Sequence, residues 1–101
     1  MPSAEYHWPV PVDHPALAGH FPKQPIVPGV VLLDRAILFA EEWLGRPALN
    51  WQIGQTKFFS PVEPGEMLTF TLQAKASGAI AFTVKTAARD IAAGSLTPPA
   101  A

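Results

Sequence analysis

The chain has 101 residues, 49% of them apolar and 15% charged, with a net charge of −1 and no cysteine. That length holds one core and no separate cofactor domain, so a single domain over residues 1–101 is expected, frayed at 97–101. The near-zero charge offers no electrostatic footprint for nucleic acid or an acidic membrane, and the missing thiols exclude disulfides, cysteine nucleophiles and thiolate metal sites.

Met1 to Val12 is polar and broken by proline, which does not match a signal peptide, and the default expectation is a cytoplasmic protein. Residues 5–12 alternate loosely with β-type side chains, but Pro9 and Pro11 lack ladder donors, so a short edge strand or an extended lead-in is expected. From Asp13 to Pro28 the prolines at 15, 22, 25 and 28 and Gly19 exclude a helix and a central strand. A long loop of this kind inside a compact chain is usually functional.

A helix over residues 29–44 follows. Pro28 and Gly29 suit its start, and Gly45 with Pro47 suits its end. With Asp34 as zero, Glu41 falls at about −20°, Glu42 at about 80° and Arg35 at about 100°, so the polar side chains take roughly a third of the circumference. The other two-thirds is apolar and calls for enclosure by a sheet. Asp34, Arg35, Glu41 and Glu42 interrupt the helix too often for a membrane span. With so few charged residues in the chain, part of its apolar surface is expected to lie against a second copy.

The second half reads as the sheet. Residues 49–59 carry Leu49, Trp51, Ile53, Phe58 and Phe59, and Pro61, Pro64 and Gly65 make a turn. Met67, Thr69, Thr71 and Gln73 then alternate with Leu68, Phe70, Leu72 and Ala74. Ser77-Gly78 marks a hairpin, Ile80, Phe82 and Val84 share a face of the returning strand, and a turn at Asp90 leads to a short strand near 91–96. One helix followed by an antiparallel meander reads as α+β.

Three groups along residues 19–34 could carry chemistry. His20 stands between Gly19 and Phe21-Pro22 and is a candidate general base, its neutral imidazole available with an ordinary pKa of about 6.5; it also reads as a plain loop histidine. Gly29 at the helix start offers N–H groups and the positive dipole end to a carbonyl oxygen gaining charge, or it is an ordinary helix start. Asp34 is a candidate acid, with a raised pKa if buried, or part of a solvated stripe pairing with water, Arg35 or lysine. Asp13, His14, His20 and Asp34 match no ligand spacing, so no metal site is expected; His7 reads as a strand residue, and no serine has a nucleophile elbow.

Gly19-His20-Phe21-Pro22, then Pro25-Ile26-Val27-Pro28-Gly29-Val30, with Asp34 beyond, resembles the active-site segment of the 3-hydroxyacyl-[acyl carrier protein] dehydratases of fatty acid synthesis. Lys57-Phe58-Phe59-Ser60-Pro61-Val62-Glu63-Pro64-Gly65-Glu66 is similar to a second stretch of that family, a strand turning through Pro-Val-x-Pro-Gly-Asp/Glu. The resemblance runs over about residues 13–96. It implies a hot-dog fold, a curved antiparallel sheet around a long central helix, and a homodimer with His20 of one subunit facing Asp34 of the other.

The resemblance further implies that His20 takes the α-proton, Asp34 protonates the leaving hydroxyl, the Gly29 N–H holds the thioester carbonyl and the Ile26 backbone carbonyl orients the imidazole. Phe21, Pro28, Val30, Phe58 and Phe59 are candidates for the acyl pocket. No metal or redox cofactor is expected, the acyl group arriving on acyl carrier protein or coenzyme A. Family members usually carry glutamine four residues after the acid, where this chain has Leu38, and the shortness resembles the compact dehydratase-like domains of polyketide-type or aryl-polyene assembly. A non-catalytic acyl- or carrier-binding hot-dog subunit and a hot-dog thioesterase are the alternatives.

Overall fold

The computed structural model describes residues 3–11, 27–45 and 50–98. In chain order the elements are β1 (Ser3–Pro9), α1 (Gly29–Leu44), β2 (Gln52–Ile53), β3 (Lys57–Phe58), β4 (Met67–Ala74), β5 (Ile80–Lys85) and β6 (Asp90–Thr97). The strands form an antiparallel sheet in the order β1-β4-β5-β6-β2, with β3 also paired to β6. This is the α+β arrangement expected.

The alternation in β4 and β5 sets the inner face. Leu68, Phe70 and Leu72 are wholly buried, and the register Phe70↔Val84 and Leu72↔Phe82 sets them beside side chains of β5 that are 1% exposed. Fully burying an aliphatic or aromatic side chain of this size contributes roughly 1.5–3 kcal/mol. The β4–β5 turn uses Gly78 at φ 92°, where the left-handed backbone favours glycine, as expected.

β1 is an edge strand, as its prolines foretold, and pairs with β4 from Ser3↔Gln73 to Pro9↔Met67. Its inward residues grip the helix. Tyr6 stacks on Phe39 at 4.6 Å, and Phe39 meets Phe70 edge-on at 5.3 Å. The Arg35 guanidinium lies 4.6 Å over the Trp8 ring, so Arg35 serves the packing rather than Asp34.

Two strands differ from expectation. The strand expected over 49–59 survives as β2 and β3 alone, with one-residue slippage against β6: Ile53 faces Leu96, but Lys57 faces Ala93. Between them Gly54 donates its N–H to the Ser95 carbonyl at 2.8 Å, and a Cβ there would collide with the Ser95 hydroxyl. The extra residue is a bulge on an edge strand, which bends it away from regular pairing. β6 is longer than expected because the turn before it closes on Thr86, whose N–H donates to the Arg89 carbonyl at 2.9 Å. Asp90 therefore opens the strand, and Thr97, expected in the frayed tail, pairs with Gln52.

α1 begins after Pro28 at φ −60° and ends at Gly45 at φ 73°, whose N–H donates to the carbonyls of Glu41 and Glu42. It buries Leu32, Ala36 and Ala40, a stripe at four-residue spacing whose small members let the helix lie close to the sheet. The expected enclosure is incomplete: Val30, Leu38 and Leu44 are 68%, 43% and 39% exposed. A single sheet face covers one side of a cylinder, and the far side of this helix carries apolar Val30 and Leu38 beside Asp34 and Glu42.

Candidate functional site

The helix start is the organising point. Pro28 fixes the backbone before it and supplies no side-chain cap, and no acidic residue occupies the first turn. Val31 donates to the Pro28 carbonyl at 3.0 Å, while no described residue accepts from the amides of Gly29 or Val30. Those amides carry the positive end of the helix dipole. Upstream, the Val27 N–H donates to the Val62 carbonyl at 2.8 Å, which ties the approach to α1 to the segment after β3.

That segment and the helix start enclose a cleft of about 390 Å³, lined by Val27, Gly29, Leu32, Phe58, Phe59, Ser60, Pro61 and Val62. The tip of the Phe58 ring approaches Gly29 so closely that a Cβ at position 29 would lie 2.8 Å from its Cζ. A side chain at position 29 would therefore displace that ring, and no unusual φ is involved. The walls are apolar apart from Ser60, and the lining reaches Gly29 at the helix start. An apolar chain with a carbonyl at its end matches that lining.

The sequence-derived residues divide into three sets. Gly29, Phe58 and Phe59 come together at the cleft, with Pro28 adjoining. Asp34 and Val30 lie on the solvent-facing stripe of α1 instead. Five residues along a helix is about 140° of rotation and about 7.5 Å of rise, which puts Asp34 on another side from Gly29. Val30 and Leu38, one turn before and after, flank Asp34 with exposed apolar surface, and no described residue hydrogen-bonds its carboxylate. His20, Phe21 and Ile26, together with Asp13 and His14, lie outside the described residues.

Val27, Leu32, Ser60, Pro61 and Val62 escaped the sequence reading as cleft residues. The Pro61-Val62 signal was visible as a turn motif, but only the Val27–Val62 bond shows that this turn faces the helix start. Among the described residues no group of three His, Cys, Asp or Glu side chains could hold a metal ion. No described helix is long and apolar enough to cross a membrane.

Among the described residues, Glu66, its partner Arg89 and Tyr6 are perturbed, none of them lining the cleft. Arg89 donates a hydrogen bond to Glu66 and, with the Glu63 N–H, holds that carboxyl below the usual range. Burial, then the nearby Glu42 charge, pushes the Tyr6 phenol up. His7 sits on the outer sheet face, its Nδ1 3.1 Å from the Thr69 hydroxyl, beside an open groove of mixed charge that also includes Glu5, Lys85 and Asp90. That groove contains none of the candidate site residues.

Residues 2–95 match the family model described as ApeI-like, ApeI dehydratase. The 3-hydroxyacyl-[acyl-carrier-protein] dehydratase FabZ of Chlamydia trachomatis serovar L2 is 39% identical over 69 residues, covering 59% of this chain and 45% of that protein. The chain thus spans about half the length of the curated relatives it matches. Among solved structures, the dehydratase heterocomplex ApeI:P from Xenorhabdus doucetiae superposes with a TM-score of 0.78 at 23% identity, covering 94% of this chain and 85% of that one. Slr0204, a 1,4-dihydroxy-2-naphthoyl-CoA thioesterase from Synechocystis, superposes at 0.70 with 18% identity, covering 94% and 79%. The fold is the hot-dog fold that dehydratases share with thioesterases.

Proposed function

The chain belongs to the ApeI-like dehydratase family, and we propose that it removes water from a 3-hydroxyacyl thioester to give the trans-2-enoyl thioester. The observation that carries the reading is the apolar cleft that reaches Gly29 at the start of α1. The thioester carbonyl accepts from the Gly29 N–H, and the acyl chain lies against Phe58 and Phe59. His20, oriented by the Ile26 carbonyl, takes the α-proton, and the charge left behind moves onto the held carbonyl oxygen. As the α,β double bond forms, the β-carbon–oxygen bond breaks and Asp34 gives the departing hydroxyl its proton. No cofactor enters this chemistry.

Asp34 reaches the cleft from a second subunit. The reading is supported by where α1 and the β2–β3 edge leave apolar surface: Val30, Leu38, Ile53, Phe58 and Phe59 are all large and exposed in the single chain. A homodimer covers these faces and completes each His20 with the other subunit's Asp34. The neighbour described as a dehydratase heterocomplex suggests a variant in which a different chain covers these faces. The acyl group comes on acyl carrier protein, as the name of the FabZ relatives suggests, or on coenzyme A.

The test is turnover of a 3-hydroxyacyl thioester, followed by the enoyl thioester absorbance. Wild type is expected to interconvert the two, and His20→Ala to lower the rate by about 10²- to 10⁴-fold with the assembly intact. Full turnover in that variant sinks the assignment. Binding without water loss points to the non-catalytic subunit, and release of free thiol to a thioesterase.

A further inference from the structure

We infer that Arg89 and Glu66 are positioning residues for the start of α1, acting through the segment between Pro61 and Glu66. The inference rests on the reading of Gly29 as the carbonyl-binding position.

Arg89 ends the β5–β6 turn, where its N–H donates to the Thr86 hydroxyl at 3.1 Å. From there its Nη2 donates twice, to the Pro61 carbonyl and to Glu66 Oε1, both at 2.8 Å. The same Oε1 accepts from the Glu63 N–H at 2.9 Å. One nitrogen and one oxygen thus fix residues 61, 63 and 66 against the turn. Val62 lies between the held points, 1% exposed, and its carbonyl accepts the Val27 N–H.

Only Pro28, with its φ fixed at −60°, separates Val27 from Gly29. There is little slack along this path, so a shift of Pro61-Val62 is passed to the Gly29 amide. Pro61 and Val62 also form part of the cleft wall with Gly29. A surface ion pair contributes little to stability by itself, and this one is 37% and 22% exposed. Its consequence is geometric, since displacement of a reacting group by about 1 Å lowers turnover by roughly 100-fold.

The test compares Arg89→Ala, Glu66→Gln, Arg89→Lys and Lys85→Ala in the full chain. Amide exchange read by NMR is expected to quicken at Val27 by about tenfold or more in Arg89→Ala, with Phe70 in β4 as protected as before. The kcat for thioester dehydration is expected to fall about 10- to 100-fold with KM within about twofold. Arg89→Lys regains part of the loss, because an ammonium supplies donors without the planar fork. Lys85→Ala, a cation on the same hairpin that makes neither bond, matches wild type. If Arg89→Ala does not fold, Glu66→Gln, nearly identical in shape and uncharged, carries the same comparison.

Unchanged Val27 exchange in a folded variant overturns the inference, whatever happens to turnover. Should wild type itself turn over no thioester, the dehydratase reading fails, and Val27 exchange alone decides whether the latch exists.

Discussion

At Gly29 packing and proposed chemistry meet, because the tip of the Phe58 ring occupies the space a side chain would need. In Gly29→Ala the half-exposed ring, not the backbone, is the part free to move. The expected stability loss is about 1–2 kcal/mol by chemical denaturation, and it should vanish when Phe58→Ala is already present. An equal loss in both backgrounds would mean that the ring is not what glycine accommodates. The sequence made Gly29 legible as a helix start and, by resemblance, as a carbonyl-binding position. Its contact with Phe58, 29 residues away, is a tertiary fact with no local pattern. The Arg89–Glu66 pair was hidden for the same reason, whereas the separation of Asp34 from Gly29 around the helix follows from the residue spacing alone.

Among the elements, α1 came through most clearly, since Pro28-Gly29 and Gly45 punctuate it and its bounds follow. The polar stripe with Asp34 and Glu42 marked the exposed side, but not that Val30 and Leu38 would be exposed beside it. The buried stripe of Leu32, Ala36 and Ala40 sets the distance to the sheet, so Ala36→Leu is expected to destabilise by about 1–3 kcal/mol in thermal or urea unfolding. The strand after α1 was legible in composition only. Its break depends on Gly54 meeting Ser95 on β6, and the register slip is set there.

The segment between β3 and β4 carries a pH signature. Glu66 titrates below the usual carboxylate range in the folded chain because the Arg89 guanidinium and the Glu63 N–H stabilise its ionised form. Its contribution is therefore fully present at neutral pH. It is lost as pH falls from the ordinary carboxylate value through the lower folded value. Unfolding measured between about pH 3 and pH 6 should show stability falling toward acid, and Glu66→Gln should flatten part of that slope. An identical slope in the variant would show that other carboxylates account for it.

For the whole molecule, the fold was the most legible property, because the helix and the meander read as α+β and the two motif stretches carried the resemblance that implied the hot-dog arrangement. The proposed dimer was legible in the family resemblance and in an excess of apolar residues, and the exposed apolar surface lies at Val30 and Leu38 around Asp34 and at Ile53, Phe58 and Phe59 on the sheet edge. In the proposed mechanism each site is shared, with His20 from one chain and Asp34 from its partner. Mixing inactive His20→Ala and Asp34→Asn chains, after dissociation and reassembly, tests it directly. Half the dimers then combine one chain of each kind, and one of their two sites is intact. Turnover should return to about a quarter of wild type. A mixture as inactive as its parents, with subunit exchange verified, would contradict the shared site.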